Sequence, residues 1–115
     1  MDSRLVKQLL GEYGDPPVPS LSAKEATILN LLSGARELYG LQIVAESNGE
    51  VGRGTVYVTL ARMEEKGFVE SWREEQAPGA TGLPRRLYRV TSTGANVLQA
   101  YERAALVLAG ARVLT

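Results

Sequence analysis

Residues 54–67 read GTVYVTLARMEEKG, and this stretch decides the fold. Val56, Leu60 and Met63 fall at i, i+4 and i+7, the spacing of one buried helical stripe. Thr55, Val58, Thr59, Arg62 and Lys66 fall mostly elsewhere on the wheel, exposed and with no acid among them. Gly67 closes the helix. Just upstream, residues 39–47 read as another helix, with Leu41, Ile43, Val44 and Ala45 as its apolar content. Asn48-Gly49 stops it, because both residues tolerate the left-handed conformation at a helix C-terminus. The tight connection over 48–53 suits two helices that cross.

Working outward from this pair, Ser22 and Glu25 have the spacing of a capping box, in which the hydroxyl and the carboxylate satisfy each other's backbone N–H. Ala26, Ile28, Leu29, Leu31 and Leu32 follow, so a helix is expected over 23–33, ended by Ser33-Gly34. Before it, Leu5, Val6, Leu9 and Leu10 can share a face of a short amphipathic helix over 4–10. Gly11, Gly14 and the DPPVP run at 15–19 then make a stiff linker. Downstream, Phe68, Val69 and Trp72 favour a strand over 68–75. QAPGATGLP at 76–84 is a turn-rich connector, and RRLYRVT at 85–91 reads as the returning strand of a hairpin. Thr91-Ser92-Thr93 offers caps for a last helix over 92–112, with a broad apolar face of Val97, Leu98, Tyr101, Ala104, Ala105 and Leu108. The expected fold is mainly α with a small β-hairpin. Its order of elements is that of a winged helix-turn-helix with a long C-terminal helix. The segments divide as 1–18, 19–91 and 92–115.

Composition narrows the chemistry. The chain of 115 residues has neither Cys nor His, which removes disulfides, thiolate metal sites, Cys nucleophiles and the usual base near neutral pH. No pair of glycines has the spacing of a phosphate-binding loop. Glu64-Glu65 and Glu74-Glu75 are adjacent pairs that do not converge on one substrate. No enzyme, cofactor or metal is therefore expected. The apolar run at 104–111 is far shorter than the ~20 residues of a membrane span, and the N-terminus lacks the apolar stretch of a signal peptide. A cytoplasmic protein is expected. The formal net charge is zero, with 13 basic and 13 acidic residues, yet the distribution is uneven. Residues 1–50 carry 4 basic and 7 acidic side chains, and residues 51–91 carry 7 and 5.

Tyr39-Gly40-Leu-Gln-Ile43, the Gly54-Thr55-Val-Tyr57 element and Pro84-Arg85-Arg86-Leu-Tyr88-Arg89-Val-Thr91-x-x-Gly94 together resemble PadR-type transcriptional regulators over roughly residues 20–100. Position 58 is Val where that family often has Pro, and the N-cap position 52 is Gly, a weaker cap than Ser. A chain ending after one long helix resembles the short subgroup. The final helix has no Trp, the residue from which some short members build a drug-sandwiching pocket.

The resemblance points to Arg53, Thr55, Thr59 and Arg62 as the face a winged helix presents to the major groove. Lys66, on the same acid-free face, is a further candidate DNA contact; the alternative is an ordinary solvated helix face. Tyr57 is expected to pack its ring and turn its hydroxyl towards DNA. Arg73, Arg85 and Arg86 flank the 76–84 loop, where they would lie along the minor groove or its phosphates; otherwise they blunt an exposed strand edge. Arg89 has a competing partner in Glu70 across the hairpin. Trp72 and Tyr88 read as cross-strand packing residues, and Gly40, Gly67 and Gly94 as backbone devices.

These readings converge on a homodimer that reads a pseudo-palindromic double-stranded operator. The apolar faces of 4–10 and 92–112 would be buried between the copies. The resemblance implies repression released by a small aromatic or lipophilic effector, for which Val97, Leu98 and Tyr101 are the candidate lining residues. The zero net charge leaves a second reading open, a winged-helix module that binds protein rather than DNA.

Overall fold

Ser22 opens the first helix in the manner its spacing predicts. Its hydroxyl accepts the Glu25 N–H at 3.1 Å, and the Glu25 carboxylate accepts the Ser22 N–H at 2.9 Å. The structure, a computed structural model, describes residues 20–114, so the expected helix over 4–10 and the linker after it lie outside the described residues. Helix α1 (Ala23–Leu31) buries Ile28 and Leu29 completely. Gly34 and Ala35 then turn the chain with positive φ.

A two-residue strand, β1 (Leu38–Tyr39), comes next, where the sequence indicates no strand. The expected hairpin is therefore a three-stranded antiparallel sheet in the order β1-β3-β2. Two residues have no period to detect. What makes them a strand is their pairing with a distant partner, Leu38 opposite Tyr88 and Tyr39 opposite Leu87. Helix α2 (Gly40–Glu46) begins immediately, and Tyr39 N–H donates to the Gln42 side chain at 2.8 Å. Asn48 and Gly49 adopt the left-handed conformation that their identities suggested. The buried Ser47 hydroxyl accepts from Val51 N–H at 3.1 Å and donates to the Val44 carbonyl at 2.9 Å, which fastens the turn.

Helix α3 (Val56–Glu65) buries its predicted stripe of Val56, Leu60 and Met63 fully. Gly67, at φ 79, ends it: its N–H donates to the Glu64 carbonyl at 3.0 Å, and Phe68 N–H donates to the Met63 carbonyl at 2.9 Å. This pair of bonds satisfies carbonyls that a helix end otherwise leaves orphaned. Strands β2 (Val69–Arg73) and β3 (Arg86–Val90) pair from Val69 opposite Val90 to Arg73 opposite Arg86. Val69 and Tyr88 face the core, and Trp72 and Leu87 pair on the outer face.

Helix α4 (Ser92–Leu114) is capped by Thr91, whose hydroxyl accepts the Gly94 N–H at 3.0 Å. Leu98 packs against the core, whereas Leu106, Val107 and Leu108 further along are exposed. The core joins α1, β1, α2, α3 and the sheet through Ile28, Leu29, Leu32, Leu38, Ile43, Leu60 and their neighbours. Each Leu or Ile so buried contributes about 2 kcal/mol. Among the described residues no helix is long and apolar enough to cross a membrane.

Candidate nucleic-acid interface

Because α3 buries Val56, Leu60 and Met63, its opposite side stands out as a ridge between two grooves. On one side Thr55, Val58, Thr59, Arg62 and Lys66 line a groove with Ser22–Glu25 at the start of α1. On the other, Tyr57 lines a cleft with Tyr39, Gly40, Leu41 and Gln42 of α2 and its approach, and with Pro84, Arg85 and Arg86 of the sheet. Tyr57 of α3 thus shares a cleft with Arg85 and Arg86 of the wing, while Thr55, Thr59 and Arg62 line the groove on the other side of the ridge.

Arg53 and Thr55 are exposed on the turn that leads into α3. The Thr59 hydroxyl donates to the Thr55 carbonyl at 2.9 Å, which leaves its lone pairs as acceptors. Arg62 is exposed, and no ion pair holds it among the described residues. Lys66 differs from its expected place on an acid-free face. Its ammonium is 2.9 Å from Glu25 Oε2, sits over the Phe68 ring and is tied back to α1. Burial raises the Glu25 carboxyl, but the Ser22 N–H and Lys66 outweigh it and hold the group below its ordinary range.

The tyrosine of the ridge owes its position to a glycine. A Cβ on Gly40 would lie 2.6 Å from the Tyr57 ring, so the ring occupies the space that only glycine leaves. Tyr57 remains about half exposed. Gly40→Ala is expected to leave stability within about 1 kcal/mol, since a ring can swing aside and alanine favours a helix start. It should weaken DNA binding about tenfold if the hydroxyl contacts a phosphate. Equal DNA affinity for variant and wild type in a titration would remove Tyr57 from the interface.

In the wing, Arg73 and Arg86 lie directly opposite each other, a like-charge pairing that a sheet disfavours on its own. Arg86 donates to the Ser71 hydroxyl at 3.0 Å, and that hydroxyl donates in turn to the Glu64 carboxylate on α3. Arg85 stacks over the Tyr39 ring at 4.9 Å. The Tyr39 hydroxyl donates to Glu74 at 2.6 Å, and that bond raises the phenol above its ordinary value, helped by desolvation and opposed by Arg85. Arg89 pairs with Glu70 and covers the Trp72 ring at 5.0 Å, so it serves the outer face of the sheet.

The family model for the transcriptional regulator PadR-like family matches residues 28–100. The chain belongs to the PadR-like family of transcriptional regulators. A PadR family regulator from Clostridium difficile is similar at 22% identity, over 82% of this chain and 100% of the other, with a TM-score of 0.67. Bacillus subtilis PadR, solved with operator DNA, is similar at 25% identity, over 64% of this chain and 43% of that one, with a TM-score of 0.56. The PcaV regulator of Streptomyces coelicolor, solved with its natural ligand, shares the fold at 16% identity, over 96% and 69% of the two chains, with a TM-score of 0.66. A comparison with curated proteins finds no match. PadR-like proteins are transcriptional regulators and not enzymes.

For this PadR-like chain, sequence reasoning named Tyr57 on the helix and Arg85 and Arg86 on the wing separately, and the structure brings the three to one cleft; it missed Tyr39 and the Glu64–Ser71–Arg86 chain. The only local signal for the latter was Ser71 in a strand beside charged residues. The three candidate effector residues do not share one environment. Leu98 packs into the core, Val97 is half-buried, and Tyr101 lines a shallow groove with Ala23, Lys24, Ala26, Thr27 and Glu50.

Proposed function

We propose that this PadR-like chain is a homodimeric, sequence-specific DNA-binding repressor whose α3 ridge reads the major groove of a pseudo-palindromic operator. The observation that carries the reading is the cleft shared by Tyr57 of α3 with Arg85 and Arg86, which supports a helix and a wing that meet DNA together. Arg53, Thr55, Thr59 and Arg62 supply base-edge and phosphate contacts. Arg73, Arg85 and Arg86 hold phosphates, and Lys66 stands at the margin, already paired with Glu25. The operator-bound Bacillus subtilis PadR supports DNA as the partner. The exposed Leu106, Val107 and Leu108 support a two-fold dimer through α4, which would set two α3 helices about 34 Å apart. A small aromatic or lipophilic effector that alters the dimer angle would release the DNA. With no His or Cys in the chain, it would be sensed by shape and apolar contact.

Selection of bound duplexes from a random pool tests this reading. A two-fold symmetric site with half-sites one turn apart is expected, with affinity falling steeply as salt rises. Replacing Arg85 and Arg86 together by Ala should weaken all sequences alike and reduce the salt slope by about 2, whereas Arg62→Ala should change base preference by about 1–3 kcal/mol. No binding at low salt, or binding that ignores salt, would instead favour a protein-binding winged helix.

A further inference from the structure

The wing distributes its charge in an unusual way. Its arginines, Arg73, Arg85 and Arg86, stand at the base of the loop, while the tip from Gln76 to Pro84 carries no charged residue at all. A wing that gripped phosphates with its tip would carry cations there. This tip is built from small and apolar side chains, and Leu83 is 92% exposed, more than any other large apolar side chain among the described residues. Single exposed leucines are common on protein surfaces, but this one is displayed by local structure. Gly79 and Gly82 both adopt positive φ. Gln76 donates its side-chain amide to the Gly82 carbonyl at 3.0 Å, and Ala80 N–H closes a turn onto the Ala77 carbonyl at 3.0 Å. Pro84 fixes the backbone on the other side of Leu83. Glu74, the carboxylate beside Arg85, is occupied by the Tyr39 hydroxyl.

We propose that Leu83 is an apolar minor-groove contact, carried into the groove by an uncharged wing tip while the arginines at the wing's base hold the phosphates on either side. This rests on the DNA-binding reading above and adds a specificity determinant to it. Apolar side chains enter the minor groove against sugars and base edges, sometimes between base steps. The guanine amino group stands up from the floor of that groove and obstructs such a side chain, whereas A·T and T·A pairs leave the floor open. Leu83 therefore selects A·T pairs where the wing lands, outside the bases that α3 reads.

The test uses the full chain, Leu83→Ala and Leu83→Met, with a duplex recovered by the wild type from a random pool. In a second duplex, adenines under the wing are replaced by 2,6-diaminopurine. That base adds an amino group in the minor groove and leaves the major-groove edge unchanged. Leu83→Ala should bind the parent duplex about tenfold more weakly, Leu83→Met within about twofold, both with the wild-type salt slope because no phosphate contact is lost. Diaminopurine should weaken the wild type several-fold, as about expected for an obstructed groove floor, and leave Leu83→Ala nearly unaffected. An unchanged melting temperature checks that the alanine variant is folded. Wild-type affinity for Leu83→Ala, a shallower salt slope in that variant, or an equal diaminopurine effect on both proteins would each overturn the proposal. A wild type that recovers no duplex would overturn the DNA-binding reading itself, a result distinct from these.

Discussion

Gly94→Ala is expected to destabilise the protein by about 3 kcal/mol or more. In the interior of a helix the same replacement ordinarily stabilises by roughly 0.5–1 kcal/mol. The difference lies in what passes beside α4. A Cβ on Gly94 would lie 2.1 Å from the Phe68 carbonyl oxygen and 2.9 Å from its carbon, with Val90 Cγ2 also at 2.9 Å. Two of those atoms are backbone and cannot swing aside. The same Phe68 carbonyl accepts the Thr91 N–H at 3.0 Å, and the Thr91 hydroxyl bonds the Gly67 carbonyl at 2.5 Å, so moving α4 away breaks the bonds that start it. A drop in melting temperature of roughly 10 °C follows for a domain of this size. Gly110→Ala is the control, since nothing lies within 4 Å of its added Cβ; it should be neutral or slightly stabilising. Equal melting of Gly94→Ala and wild type would contradict the close approach.

The second large effect belongs to Lys66. Its partner carboxylate, Glu25, is only 6% exposed, while Lys66 keeps 37% of its side-chain surface in solvent. Lys66→Met removes the cation and leaves the buried carboxylate with the Ser22 N–H and hydroxyl interactions alone. Losing one partner of a wholly buried pair costs more, but solvent reaches this one, so about 2 kcal/mol is expected at neutral pH. Because the folded Glu25 carboxyl titrates below its ordinary value of 4.5, its stabilisation is complete above that pH and lost as pH falls through the lower folded value. Without Lys66 the folded carboxyl moves back towards or above its ordinary value, so the variant should lose less stability than the wild type as pH falls from 7 to 4. Urea unfolding midpoints at pH 7 and pH 4 would read both effects. The double variant Glu25→Gln with Lys66→Met should recover part of the loss, because it leaves no buried charge. A single variant as stable as wild type at pH 7 would show that the pair contributes nothing.

Both residues mark where sequence reasoning stops. The helices were legible because their signals are local: the Ser22–Glu25 box, the Val56–Leu60–Met63 stripe, and Asn48-Gly49 and Gly67 at the stops. The Glu70 alternative for Arg89 was legible because cross-strand register follows from a hairpin. Strand β1 was not, since its existence depends on Leu87 and Tyr88 nearly fifty residues later. Lys66 read as one more cation on an exposed face because its acid lies 41 residues upstream, on a helix whose approach only packing determines. Gly40 and Gly94 were recognisable as backbone devices, but not what each makes room for. Of the candidate interface, the residue types were visible in the sequence. The cleft that joins Tyr57 to the wing was not, because it depends on how α2, α3 and the sheet meet.

Trp72 is the chain's one tryptophan, and it stands on the outer face of the wing beneath the Arg89 guanidinium. A nearby cation shifts and quenches indole emission, and no second indole dilutes the signal. The protein consequently carries a built-in fluorophore on the sheet that bears the wing. If the wing meets DNA as proposed, rapid-mixing fluorescence would time that step with no dye attached.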